Sequence, residues 1–216
     1  MSSHHPTDDE LQRLLGCDGG LPEAVERHLS QCTHCRERLD ALSGAAEFSL
    51  AFEPVSPGPD RVALMVLQPS DKPGAPGCLG RYEVSGWLAT SATAVVWRAV
   101  DPDTGGDVAI KLLHPMQAAQ PEVRSRFIRE ARAGQMLRHP SILPVLDLNE
   151  QHDPPFFVMP FASGGTLQQR MTGNPLPLEE SLRIAKSLAS ALVAAHAAGV
   201  VHRDIKPANV LFASSD

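Results

Sequence analysis

The segment HRDIKPANVL, residues 202–211, places an aspartate and an asparagine five positions apart with a lysine between them. Transfer of a phosphoryl group needs a carboxylate that orients the attacking hydroxyl, a cation for the moving phosphate and an oxygen ligand for Mg²⁺. Asp204, Lys206 and Asn209 bring these three groups together in one short loop. The segment therefore predicts phosphoryl-transfer chemistry.

Upstream of this loop, strand-like and helical patterns follow one another. Apolar runs at 82–84, 95–97, 108–110, 142–146 and 156–159 predict strands, and the third run ends at Lys111. A polar turn at 101–106 separates two of these runs. Helical periodicity over 121–137 includes Glu130, and the Ala- and Leu-rich segment 179–198 predicts a long helix. Lys111 is thus expected at the end of a strand and Glu130 on a helix.

The loop, the stretch VAIK at 108–111 and Glu130 together resemble the catalytic domain of bacterial serine/threonine protein kinases of the eukaryotic type. The resemblance covers about residues 79–216. It implies an α+β fold, in which an N-lobe of antiparallel sheet plus helix αC precedes a truncated helical C-lobe. It also implies ATP and Mg²⁺ as cofactors and proteins with Ser or Thr hydroxyls as substrates. Lys206, two residues after Asp204, is typical of serine/threonine rather than tyrosine kinases.

The kinase resemblance assigns a role to each residue of the predicted catalytic centre. Lys111 would hold the α- and β-phosphates and pair with Glu130. Asp204 would be the catalytic base, Lys206 would contact the γ-phosphate, and Asn209 would bind Mg²⁺.

The adenine site is also implied by the resemblance. Met159 corresponds to the gatekeeper, and residues 160–162 correspond to the hinge, where the Pro160 carbonyl and the Ala162 amide would bind the base. The side chains expected to sandwich the base are Leu88, Val96 and Ala109 above it and Leu211 below it.

Two departures from the kinase pattern bear on activity. The three glycines of the phosphate-binding loop are replaced by Ala89, Ser91 and Ala94, at an expected cost of about 1–2 kcal/mol each where the backbone torsions are closed to a Cβ. The chain also stops at Asp216, seven residues after Asn209 and before any Asp-Phe-Gly motif. We therefore expect a fragment or truncated form with impaired activity, or alternatively a catalytically inactive kinase-like regulator.

The front of the chain carries a candidate metal site. His28 and Cys32 share a helix face, and Cys32-x-x-Cys35 presents two thiolates to one tetrahedral ion, a donor set that suits Zn²⁺. The spacing resembles the zinc-binding anti-sigma-factor domain, whose fourth ligand corresponds here to His5, with His4 and Cys17 as the other candidates. Such a small helical module needs a staple, because about 50 residues rarely form a sufficient core. We expect it to bind a regulatory protein.

The distribution of prolines separates the candidate metal site from the kinase-like region. Six prolines between Phe52 and Gly77 indicate a linker, with one apolar run at 62–67 that could form an amphipathic turn docking on either neighbour. The predicted domains are a zinc-binding all-α domain at 1–50, a linker at 51–78 and a kinase domain at 79–216. A net charge of −6 argues against nucleic-acid binding, and no stretch of the sequence is apolar enough to span a membrane. We expect a cytoplasmic protein.

Overall fold

The computed structural model describes residues 5–7, 11, 25, 27, 28, 32, 34, 35, 38, 46, 47, 58, 59, 61–172 and 175–214. The chain divides into two compact units, Met1–Ala45 and Ala46–Asp216. In the first unit, the described residues Leu11, Val25, His28 and Cys35 are helical. Most of the all-α domain predicted there lies outside the described residues.

The second unit is built on a six-stranded sheet in which every neighbouring pair is antiparallel. A short parallel pair, β1 with β8, forms a separate small sheet. In chain order the strands are β1 (Ala46–Glu47), β2 (Gly77–Leu79), β3 (Tyr82–Thr90), β4 (Ala94–Val100), β5 (Asp107–Leu113), β6 (Asp147–Asn149), β7 (Phe156–Pro160) and β8 (Val200–Val201). The order across the large sheet is β2-β3-β4-β5-β7-β6.

Five helices and one 3₁₀ turn are described around these strands. They are α1 (Arg61–Leu64), α2 (Pro115–Ala118), α3 (Pro121–Met136), α4 (Leu167–Arg170), α5 (Leu178–Ala197) and the 3₁₀ turn Pro207–Asn209. Pro121 occupies the first turn of α3, where its missing N–H costs no hydrogen bond. Thr166 caps α4 through a capping box with Gln169.

Both faces of the sheet are buried at β4, β5 and β7, which explains why these three strands are almost continuously apolar. Side chains alternate along each strand, so Val96 and Ala109 pack on one face with Phe127 and Ala131 of α3. Trp97 and its same-face neighbours pack on the opposite face. The face that carries Val96 and Ala109 is therefore covered by α3, the helix that contains Glu130.

The opposite face is covered by the segment that the prolines assign to a linker. Ala63 of α1 is fully buried against this face, and Val66 and Leu67 pack beside it. Gln68 then pairs with Cys78 as an isolated bridge next to β2. The amphipathic turn expected at 62–67 thus docks on the sheet, and residues 61–78 belong to the same compact unit as the strands.

The prediction of a strand at 142–146 is wrong. Residues 142–146 are not part of a strand, and the ladder begins at β6, directly after the hydrogen bond from the Leu146 amide to the Val158 carbonyl. Pro144 interrupts the run because it has no N–H to donate to a ladder. The apolar side chains of Ile142, Leu143 and Val145 instead pack against the cluster under α3.

Candidate active site

Lys111 and Glu130 form an ion pair between the sheet and helix α3. The Lys111 Nζ lies 2.6 Å from the Glu130 Oε1, and the two side chains are only 8% and 12% exposed. Lys111 also lies over the Phe157 ring, with its Nζ 5.6 Å from the ring centroid. A charge held out of water is strongly destabilising unless it is paired, so each member requires the other.

The catalytic loop collects three of the predicted residues around one carboxylate. The Lys206 Nζ lies 3.2 Å from the Asp204 Oδ2. The Asn209 Nδ2 donates to the Asp204 backbone carbonyl at 2.7 Å and to its Oδ2 at 3.0 Å. The loop backbone is unusual at Arg203, which has a φ of 57°, in the left-handed region that non-glycine residues seldom adopt.

Asn209 leaves one polar atom unsatisfied. Its Oδ1 is buried and has no hydrogen-bond partner, although its Nδ2 donates twice to Asp204. A buried acceptor without a partner carries a desolvation cost, and a cation would remove that cost. An oxygen atom of this kind beside a carboxylate fits the ligand preference of Mg²⁺.

The residues predicted for adenine divide between two parts of the second unit. Val96, Ala109 and Met159 are buried in the cluster between the sheet and α3, and Leu88 packs against it. Pro160 ends β7 opposite Val108, while Leu211 pairs with Thr166 in an isolated bridge. Of the residues predicted to sandwich adenine, Leu88, Val96 and Ala109 thus lie on β3, β4 and β5. Leu211 lies beside Thr166, which follows the predicted hinge in the chain.

A cavity of about 510 Å³ opens beside the catalytic loop, between residues 137–144 and helix α5. The predicted site residues that line it are Pro160, Ala162, Lys206, Asn209 and Leu211. The remaining predicted residues, including Lys111 and Glu130, are not part of its wall. The cavity therefore borders the predicted nucleotide site along the hinge and the catalytic loop.

The tip between β3 and β4 is closed by Ser91. The Ser91 amide donates to the Ala94 carbonyl at 2.8 Å, and the Ala94 amide donates to the Ser91 Oγ at 3.1 Å. Ala89, Ser91 and Ala94 all lack a positive φ, so the torsional cost expected for non-glycine residues does not arise in this conformation. The hydrogen bonds instead occupy two amides at the position where the kinase resemblance expects phosphates.

A model of the protein kinase domain matches residues 82–216 of this chain. The chain belongs to the protein kinase family. In the kinase unit, the Lys111–Glu130 ion pair joins β5 to α3, and Asp204 lies in the loop before the 3₁₀ turn Pro207–Asn209.

Relatives and solved structures agree with this family. The DNA damage-responsive serine/threonine-protein kinase RqkA of Deinococcus radiodurans is 40% identical over 145 residues, which are 64% of this chain and 21% of that protein. The serine/threonine-protein kinase PrkC of Bacillus subtilis is 39% identical over 133 residues, 61% of this chain and 20% of that protein. The chain thus matches about a fifth of the length of these curated relatives.

The fold agrees with the crystal structure of the PknI kinase domain of Mycobacterium tuberculosis. The match has a TM-score of 0.54 and 37% sequence identity, and it covers 62% of this chain and 55% of that chain. Within the described residues of the kinase, none of the helices is both long and apolar enough to cross a bilayer.

The four residues predicted to bind zinc come together in the first unit of this kinase chain. The ligand atoms of His5, His28, Cys32 and Cys35 all lie within 4.8 Å of one another. The Cys35 Sγ is 3.1 Å from the His5 Nδ1 and 3.3 Å from the His28 Nε2. Two imidazoles and two thiols are a donor set that suits Zn²⁺. The other candidates, His4 and Cys17, lie outside the described residues.

Cys35 is the buried member of this cluster. Burial raises the pKa of the Cys35 thiol, and its hydrogen bond with neighbouring Cys32 raises that pKa further. A metal ion binds the thiolate, so binding must displace a proton from this site.

Sequence reasoning missed the tight packing behind the kinase hinge. A Cβ on Gly164 would clash with the Ser214 carbonyl oxygen, because the segment 163–167 is hydrogen-bonded to residues 210–213. Arg170 lies over the Phe212 ring at 3.6 Å from its centroid. The sequence signal for this packing is the pair Gly164-Gly165, because adjacent glycines can mark a close approach of two backbones as well as the start of a helix.

Proposed function

We propose that this chain carries a serine/threonine protein kinase site, which transfers the γ-phosphate of ATP to Ser or Thr hydroxyls of other proteins. The observation that best supports the proposal is the ion pair between Lys111 and Glu130, at 2.6 Å and almost fully buried. In phosphoryl transfer by kinases, a lysine paired in this way holds the phosphates in position.

Each residue of the catalytic loop has a role in this proposal. Asp204 orients the substrate hydroxyl and accepts its proton, and Lys206 contacts the γ-phosphate. Asn209 holds the Asp204 carboxylate through its Nδ2 and offers its buried Oδ1 to Mg²⁺. The metal, when bound, offsets charge on the phosphates. The base of ATP would lie between Leu88, Val96 and Ala109 on one side and Leu211 on the other, beside Met159, Pro160 and Ala162.

The tip between β3 and β4 supports a weakened affinity for ATP. Amides that bind phosphates must be free to donate, but those of Ser91 and Ala94 already bond within the tip. Opening these bonds lowers the net gain from phosphate binding. We therefore propose a kinase site with impaired activity.

For the first unit we propose a zinc site made of His5, His28, Cys32 and Cys35, supported by the convergence of their ligand atoms. This unit would bind a regulatory protein, in a cytoplasmic setting where the thiols stay reduced. A second candidate function follows from the closed tip: a catalytically inactive kinase-like regulator that acts through the zinc-binding module.

Phosphate transfer to a generic basic protein separates these two functions. We expect incorporation of ³²P from labelled Mg-ATP, at a rate that falls at least about a hundredfold in Asp204→Asn, because the variant loses its base. The matched control is Asp103→Asn, which changes an exposed aspartate in the turn between β4 and β5.

Incorporation that survives Asp204→Asn would show that the assigned base is wrong. No incorporation by the wild-type chain, together with retained binding of zinc, would favour the regulator.

A further inference from the structure

Helix α3 is tied to the turn between β6 and β7 by two arginines. The Arg132 Nε and Nη2 donate to the two carboxylate oxygens of Glu150 at 2.9 and 2.7 Å. The Arg124 Nη1 donates to the Asp153 Oδ1 at 2.7 Å. The Arg124 Nη2 donates to the carbonyls of Glu150 and His152 at 3.3 and 3.4 Å.

The turn that accepts these bonds is itself braced. The His152 amide donates to the Asn149 Oδ1 at 3.0 Å, and the His152 Nδ1 lies 2.6 Å from the Pro154 carbonyl oxygen. The His152 ring also meets Phe156 edge-on, with ring centroids 5.1 Å apart. The arginines therefore bind a defined surface.

This turn and Lys111 belong to the same hydrogen-bonded part of the sheet. Strand β7 follows the turn, and its Phe157 lies directly opposite Lys111 on β5. The Lys111–Glu130 ion pair connects β5 with α3, and the ion pairs of Arg124 and Arg132 connect α3 with the turn. The contacts thus form a closed circuit through both ends of the ion pair.

The positions of these residues around α3 explain what the circuit controls. At 3.6 residues per turn, Phe127 and Ala131 lie between Glu130 on one side and the two arginines on the other. Phe127 and Ala131 hold the helix against the sheet through apolar packing, which itself fixes no hydrogen-bond direction. Bidentate bonds between guanidinium and carboxylate fix direction as well as distance. A roll that moves Glu130 away from Lys111 has to break them.

We propose that Arg132 and Glu150, supported by Arg124, are positioning residues that hold Glu130 against Lys111. This inference rests on the proposed kinase site, because only in that site does the Lys111–Glu130 pair have a role in holding phosphates. None of the three touches the reacting groups; they act through the rotation of α3. Their signal in the sequence is weak, since Arg132 and Glu150 are 18 residues apart and read as separate surface charges.

The test measures how fast Lys111 reacts with an amine-selective acylating reagent, relative to exposed Lys186 in the same chain, by peptide mass spectrometry. An amine that donates to a carboxylate inside the protein reacts slowly. We expect Arg132→Glu, which repels Glu150, to raise the Lys111 rate about fivefold, the effect of losing one partly exposed bidentate pair. The double variant Arg132→Glu with Glu150→Arg restores the pair and returns the rate to the wild-type value.

The matched control is Arg98→Glu, because Arg98 forms a similar two-pronged pair with Asp107 away from α3. An unchanged Lys111 rate in Arg132→Glu overturns the proposal, as does an equal rise in Arg98→Glu or no return in the double variant. A pair that only stabilises the fold would lower the melting temperature and leave the Lys111 rate unchanged. Should Arg132→Glu unfold, seen as loss of circular dichroism, Arg132→Ala takes its place with Arg98→Ala as its control, and an unchanged Lys111 rate in Arg132→Ala overturns the proposal.

Labelling needs no nucleotide, so its outcome is separate from that of the kinase proposal. A chain that fails to transfer phosphate can still show the predicted coupling between Arg132 and Lys111.

Discussion

The interiors of the two compact units differ in the kind of interaction that their described residues make. In the described part of the first unit, the buried apolar side chains are Leu11 and Cys35, and the four ligand atoms of the proposed zinc site meet beside them. In the second unit, two large apolar clusters fill both faces of the sheet. We expect the first unit to depend on the proposed zinc ion, whereas a sheet packed on both faces depends on its apolar contacts. The predictions below test this difference.

The largest expected effect is the loss of the first unit on removal of zinc. A strong chelator removes the ion, and Cys32→Ser with Cys35→Ser removes two of its proposed ligands, so residues 1–45 should unfold and exchange their amide hydrogens fast. Bound zinc measured by mass spectrometry should fall from about one ion per chain to none. Trp87 and Trp97, both in the second unit, should keep their fluorescence.

The control for this experiment is Cys78→Ser, which changes a cysteine on β2 outside the cluster. Zinc that stays bound after both cluster cysteines are replaced contradicts the assigned site.

The second prediction concerns the packing of the sheet. Ile110 is fully buried on the face covered by residues 61–67, so Ile110→Ala leaves a cavity and should cost about 2–5 kcal/mol of unfolding free energy. Urea unfolding followed by tryptophan fluorescence measures this loss. Met116→Ala, at a side chain that is 66% exposed, should change the same free energy by less than about 0.5 kcal/mol. Equal effects in the two variants would mean that packing does not stabilise this unit.

The third prediction concerns the tip between β3 and β4. Replacing Ala89, Ser91 and Ala94 together by glycine removes the Ser91 side-chain bond and allows the amides to approach phosphate. Affinity for Mg-ATP in calorimetric titration should rise about tenfold, while flexible glycines lower stability by about 0.5–1 kcal/mol each. The control is Ser85→Gly, at an exposed serine on β3 away from the tip. A triple variant that binds no tighter than this control would remove the tip as the cause of weak binding.

The smallest expected effect is the dependence of the second unit's stability on the Arg98–Asp107 pair. The hydrogen bonds from Arg98 lower the pKa of Asp107 in the folded chain. A carboxyl group with a lowered pKa stabilises the fold above its unfolded pKa of about 3.9, and this contribution is lost as the pH falls through the lower folded value. Both side chains are nearly half exposed, so water screens the pair and the effect is small.

The measurement is the difference in melting temperature between the wild type and Asp107→Asn. This difference should be present at pH 6 and should shrink as the pH falls below 4. A difference that grows with acid would reverse the assigned direction of the pKa change.

Much of the candidate site could be predicted from the sequence, because its signals are local. Asp204, Lys206 and Asn209 are recognisable from residue type and spacing in one loop, and the short apolar runs predicted β4, β5 and β7. The failure at 142–146 has a local cause as well, since Pro144 and tertiary packing outweighed the apolar pattern. Local patterns report which side chains are buried and leave open what buries them.

Contacts between distant residues were decided by the tertiary structure. The sequence by itself determined which chemical groups come together locally: a loop with Asp204, Lys206 and Asn209, a lysine at a strand end, and histidines and cysteines at metal-binding spacing. Only the fold decided that residues 61–67 cover the second face of the sheet, that Ser91 closes the tip, and that Arg124 and Arg132 bind the turn after β6. The physical reason is that these contacts join residues brought together by the sheet, and no local periodicity encodes such a pairing.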